Sequence, residues 1–117
     1  MFLRLNHQKL EVYKASRLFV RECYKLAKFL PAEEKFGMIS QLKRASLSVH
    51  LNIAEGSSRK SEAERKRYFE MSRGSVIEID AVIELAVDMG YLKEQDVQEF
   101  GKSIVFCFKL LSGMIHP

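Results

Sequence analysis

The strongest constraint on this chain is how seldom its helical periodicity is interrupted. Its 117 residues include only six glycines and two prolines, and the breaks that matter fall at Pro31, Gly56-Ser57-Ser58 and Gly90. Between the breaks, apolar residues return every three or four positions, the spacing that places them on one face of an α-helix. The first stripe is Val12, Ser16, Phe19, Cys23, Leu26 and Leu30, with Tyr13, Val20, Tyr24 and Ala27 beside it. The second is Ile39, Leu42, Ser46, Val49 and Ile53, and the third is Phe69, Ser72, Val76, Ile79, Ile83 and Ala86. The fourth is Val97, Phe100, Ile104, Cys107, Leu111 and Met114. No segment alternates with period two for long, so no strand is predicted.

The segment ends carry matching chemistry. Ser61 followed by Glu64 reads as a capping box, with the hydroxyl accepting from the Glu64 amide and the carboxylate reaching back to the Ser61 amide. Glu33 and Glu34 stand at the positive end of the second helix dipole, Glu94 and Asp96 at that of the fourth. Gly56 and Gly90 suit the left-handed residue just past a helix end. Helices are therefore expected near 9–30, 34–55, 61–89 and 94–114. Short connections between them make neighbours antiparallel, giving an all-α, up-down-up-down four-helix bundle that occupies 1–117 as one domain.

Composition narrows the class further. The chain is 47% apolar and 29% charged, a balance that excludes disordered and collagen-like readings. No apolar run approaches the ~18 residues of a membrane span, and Met1-Phe2-Leu3-Arg4-Leu5 gives way at once to polar residues, so no secretory leader is expected. Cys23 and Cys107 lie far apart with no CxxC spacing, which predicts reduced thiols and a cytoplasmic protein.

The net charge of +4 conceals a segregation. Residues 1–30 carry seven basic side chains against two acidic, residues 59–73 six against three, and residues 74–117 three against seven. In the first helix Lys14, Arg17, Arg21, Lys25 and Lys28 step by three or four and so stack on one face, with no acid on that stripe. Arg59, Lys60, Arg65, Lys66 and Arg67 add a second cluster at the start of the third helix. A phosphate backbone laid along such a row would relieve its self-repulsion and release counterions, favouring backbone contacts over base readout. The alternatives are a merely solvated helix face, or an acidic protein partner.

The second helix has a polar stripe, Gln41, Arg44, Ser48, Asn52 and Glu55, beside its apolar one. These groups need partners, which the third helix offers as Arg73, Ser75 and Glu78, with Gly74-Ser75 allowing a close backbone approach. A structural hydrogen-bond network is the expected use. The catalytic alternative would make Glu55 and Glu78 a carboxylate pair and Ser48 or Ser75 a nucleophile. No histidine stands at useful spacing for it, and the ExxH pattern of di-iron bundles is absent. His7, His50 and His116 are scattered without metal-ligand spacing, so no metal and no cofactor are expected.

Taken together, Leu10-Glu11-Val12-Tyr13-Lys14-Ala15, the run from Phe36-Gly37-Met38 to Ala45-Ser46, and above all Asn52-Ile53-Ala54-Glu55-Gly56-Ser57-Ser58-Arg59 resemble a known pattern. Gly74-Ser75 with Glu78, then Gly90-Tyr91-Leu92, extend the match to roughly residues 8–112. The chain resembles the bacterial four-helix bundle family named for proteins encoded in intervening sequences of 23S ribosomal RNA genes. The same fold includes the accessory variability determinant proteins of diversity-generating retroelements. The resemblance implies an antiparallel bundle assembled as a homopentameric ring. For the retroelement members it implies nucleic-acid binding and association with a reverse transcriptase, and most members have no established activity. Gln41, Arg44, Ser48, Asn52, Glu55, Gly56, Arg59, Ser75 and Glu78 are the signature residues carried over, with no catalytic role. Ser58 departs from the pattern, where glycine is frequent.

One further reading supports self-association, and a second strengthens the case for a polyanion ligand. Tyr13, Val20 and Tyr24 on the first helix, and Leu47 and Leu51 on the second, are apolar surface beyond what one core needs. Five copies of a +4 chain would make a strongly cationic particle. The expected function is a non-enzymatic, homo-oligomeric bundle that binds RNA or DNA non-specifically, the competing one an adaptor that docks an acidic protein such as a reverse transcriptase.

Overall fold

In a computed structural model describing residues 1–117, the chain forms four α-helices and no strands. These are α1 (Glu11–Ala27), α2 (Met38–Ser57), α3 (Glu62–Asp88) and α4 (Gln98–Ile115). α1 packs on α2 and α4, and α3 packs on the same two, so α1 and α3 stand on one diagonal of a square, antiparallel bundle. α3, with 27 residues, is the longest helix and sets the 44 Å long dimension of the molecule. No helix is long and apolar enough to cross a membrane.

The predicted stripes form the core, except that Ile39 and Val97 are only half-buried and Met114 is exposed, its place at the end of the fourth stripe taken by Ile115. Phe19, Leu42, Val49, Ile53, Val76, Ile79 and Leu111 are essentially without solvent contact, each stabilising the fold by about 1.5–3 kcal/mol relative to an exposed position. Cys23 and Cys107 are buried among them as free thiols. Burial pushes the Cys107 thiol up to about 12 and that of Cys23 further still, so neither offers a thiolate near neutrality.

The helix ends differ from expectation where the connections fold into short 3-10 turns, at Asn6–Lys9, Ala32–Glu34 and Glu94–Val97. α1 stops at Ala27 because the next three amides reach back only three residues, a tightening that ends where Pro31 has no amide to give. α2 begins at Met38, after Gly37 leaves helical geometry, and its first amide is capped by the Glu34 carboxylate at 3.2 Å. That carboxylate also accepts from the Tyr91 hydroxyl at 3.1 Å, tying together the two connections at one end of the bundle. Only α2 and α3 are joined tightly, through residues 58–61. The other two connections are longer than expected, residues 28–37 and 89–97.

Capping follows the sequence in part. The Ser61 hydroxyl accepts the Glu64 amide at 3.0 Å, while the reciprocal carboxylate arm is not made. Gly90 has φ +79°, and the amides of Gly90 and Tyr91 close onto the carbonyls of Val87 and Ala86, the paired bonds of a Schellman end. Gly56 corrects the expectation: it is a buried helical residue inside α2. A methyl group there would lie 2.7 Å from Tyr68 Cβ and 3.3 Å from the Arg65 carbonyl oxygen. Close approach of α2 to α3 is therefore what requires glycine at position 56. Gly74, expected to serve that purpose, faces open space.

Candidate nucleic-acid interface

α1 turns its apolar stripe inward and leaves Lys14, Arg17, Arg21 and Lys25 exposed along its outer face, with Lys28 just past its end. Lys14, Arg17, Leu18 and Arg21 line one shallow surface depression. The expectation of a row free of acid needs one correction. Glu22 lies off the stripe but within one turn of it, and it holds Lys25 at 3.2 Å. Four unpaired cations are left. The structure adds one that periodicity missed: Lys43, on α2, leans over the Tyr24 ring at 5.2 Å and widens the basic surface across the α1–α2 seam. No sequence spacing links residues 24 and 43, since only the packing of two helices brings them together. Tyr13 and Tyr24 are likewise half-buried in this seam rather than standing free.

The second cluster is largely occupied within the chain. Arg65 donates through Nη1 to the carbonyls of Arg59 at 3.0 Å and Lys60 at 2.7 Å, closing the α2–α3 turn. Arg59 donates to the Tyr68 hydroxyl at 3.0 Å, lies 5.0 Å from that ring's centre and approaches Glu55 at 3.5 Å. Both guanidinium groups therefore hold the turn in place. Lys60, Lys66 and Arg67 are exposed where the α2–α3 turn enters α3, and Lys66 lines a surface depression together with Glu62 and with His7 and Leu10 just before α1.

The polar stripe of α2 forms a ladder against α3. Gln41 donates to the Glu78 carboxylate, Ser75 donates to Ser48 at 3.1 Å, and Asn52 donates to the Ser48 hydroxyl and carbonyl at 3.0 and 2.9 Å. Ser72, fully buried, donates to the Val49 carbonyl at 2.7 Å. Arg44 is exposed and makes no bond, because it projects beyond the seam. Arg73 turns away from α2, donating to Ser112 at 3.2 Å and stacking 5.8 Å from Phe108 on α4. Glu55, expected in this network, does not join it: it is exposed, bound only within its own turn by the Ser58 hydroxyl at 3.3 Å and Arg59 at 3.5 Å, and about 20 Å from Glu78 by helical rise between positions 41 and 55. The two form no carboxylate pair, and neither serine has a histidine beside it. No three His, Cys, Asp or Glu side chains converge to hold a metal ion.

One polar cluster had no forecast. Ser16, on the apolar stripe of α1, is fully buried and donates to the Tyr13 carbonyl at 2.8 Å. The same hydroxyl lies 2.6 Å from Nδ1 of His50, a hydrogen bond whose direction follows the tautomer of the ring. The His50 ring lies 4.5 Å from that of Tyr13, which His7 approaches at 5.1 Å on an edge. Burial, with help from Arg17 and His7, lowers the His50 pKa. The available signal was Ser16 itself, a hydroxyl at a core position that had to find a partner.

The sequence matches the family described as 23S rRNA-intervening sequence protein over residues 8–113. The fold is similar to the crystal structure of a protein of unknown function from the S23 ribosomal protein family of Bacteroides thetaiotaomicron, with a TM-score of 0.82 and 25% identity. That similarity covers 91% of this chain and 99% of the other. No curated protein matches the sequence.

Proposed function

From the premise that the chain belongs to the 23S rRNA-intervening sequence protein family, we propose that it is a non-enzymatic bundle that binds RNA or DNA non-specifically through the outer face of α1. The observation that carries this reading is the row of unpaired, exposed cations Lys14, Arg17, Arg21 and Lys28, flanked by Lys25 and Lys43. Cations at one-turn spacing reach successive phosphates of a strand laid along the helix, and release of the counterions they displace supplies the binding free energy. Lys60, Lys66 and Arg67 play a lesser part. The bundle acts as an assembly of identical copies, a pentameric ring as the family resemblance implies. The exposed Leu47 and Leu51 on α2 are apolar surface that such an assembly would cover.

The test is a salt titration of binding to duplex DNA and to structured RNA. Four phosphate contacts predict that log K falls with log salt with a slope of about −3 to −4 on duplex DNA. Changing Lys14, Arg17, Arg21 and Lys28 to Glu abolishes binding while the helical circular dichroism persists, since all four side chains are exposed. Binding that survives this change, or that ignores salt, places the ligand elsewhere.

A further inference from the structure

Away from α1, the seam between α3 and α4 opens as a long groove with an apolar floor. Ile77, Val105 and Phe108 are 56%, 52% and 38% exposed there, and Ile104 and Gly101 continue the floor. The α3 edge carries Asp80, Glu84 and Asp88, four residues apart and all exposed. None of the three has a cation at ion-pair distance, because the ion pairs of the chain are Lys25–Glu22, Arg59–Glu55 and Lys102–Glu99. The α4 edge has Lys109 unpaired and Lys102 held by Glu99 at 3.4 Å. Carboxylates stacked one turn apart repel one another, and the apolar floor beside them lies open to water. One occupant relieves both.

We infer that this groove docks a cationic amphipathic helix of another protein. Such a helix lays apolar residues at i, i+3 or i+4, and i+7 on Ile77, Val105 and Phe108, and sets its Lys and Arg along Asp80, Glu84 and Asp88. Charge complementarity selects this occupant. The acidic edge repels nucleic acid, and an acidic peptide would meet three like charges. A second copy of this chain is the poorer fit: its cationic helix α1 carries Leu18 as the one well-exposed large apolar residue, and its α2 sets Leu47 and Leu51 beside only the adjacent pair Lys43 and Arg44, not cations one turn apart to match three carboxylates. The groove floor offers three contacts to be matched. Since α1 and α3 stand on one diagonal, the groove and the basic row can be occupied together.

The probe is a labelled 18-residue peptide of Leu and Lys with leucine at helical spacing, read by fluorescence anisotropy at physiological salt beside a scrambled peptide of the same composition. The periodic peptide is expected to bind at least tenfold tighter than the scrambled one. Asp80→Lys with Glu84→Lys and Asp88→Lys, and separately Val105→Glu, should each weaken it at least tenfold. Reversing Lys14, Arg17, Arg21 and Lys28 should not weaken it. Where the triple variant fails to give the helical circular dichroism of the parent, Glu84→Lys alone is read, with at least a threefold loss expected. Equal binding of the two peptides, or binding indifferent to both groove variants, overturns the inference. So does a groove variant that lowers the sedimentation mass of the protein on its own, which would assign the groove to contact between copies.

Discussion

Gly56 is where a single atom decides the packing of two helices. Gly56→Ala would force its Cβ against Tyr68 Cβ and the Arg65 carbonyl, and the backbone of α3 has little freedom to yield. A loss of about 1–3 kcal/mol is expected, read as a lower denaturant midpoint with unchanged m-value. His50 makes the second residue-scale prediction. Its native pKa lies below the ordinary 6.5 because burial first, then Arg17 and His7, disfavour the imidazolium. The unfolded chain takes up that proton more readily than the native one. His50 therefore favours the fold fully above about pH 6.5, and that contribution is lost as the pH falls through 6.5 toward the native value. Thermal unfolding followed from pH 7.5 to 5.5 should show an acid loss that His50→Gln reduces. Both residues were visible in the sequence, Gly56 as a helix end and His50 as a stray histidine. Neither role was legible, since each depends on a partner far along the chain.

Small and polar residues line one side of the contact between α2 and α3, beside its apolar core. Ser72 illustrates why: its hydroxyl bonds the Val49 carbonyl of the facing helix, and the side chain has no solvent contact. Ser72→Ala removes one hydrogen bond and should cost about 1 kcal/mol. Ser72→Leu must also find room for its extra carbons and should cost more, by a further ~1–3 kcal/mol of overpacking. A pair of urea melts distinguishes the two, and equal losses would mean that the seam is loosely packed. The stripe Gln41, Ser48, Asn52 was readable as a face needing partners, and Ser75 and Glu78 were readable as those partners. Arg44 and Arg73 were misassigned for one reason. Helical periodicity gives the angle at which a long side chain leaves the helix, and its reach lets it miss the seam or cross to another neighbour.

Across the whole molecule, the charges separate along a diagonal, with the basic row of α1 opposite the acidic edge of the α3–α4 groove. The molecule is 22 Å across its thinnest dimension, more than twice the ~8 Å over which charges act at physiological salt. Neutralising Asp80, Glu84 and Asp88 to Asn, Gln and Asn should thus leave DNA affinity within about twofold at 0.15 M salt. At 0.01 M, where the screening length grows to ~30 Å, the same change should tighten binding, as paired filter-binding titrations would show. An effect of equal size at both salts would mean that the acidic edge touches the bound strand.

The sequence by itself determined the four helices, which residues face inward, and the unbalanced charge of α1, because each of these follows from spacings of three and four along one helix. The tertiary structure decided which cations are engaged, which small residue lets two helices meet, and that the acidic face stands across the bundle from the basic one. Those are relations between helices, and they are set by how the apolar stripes pack together rather than by any local period.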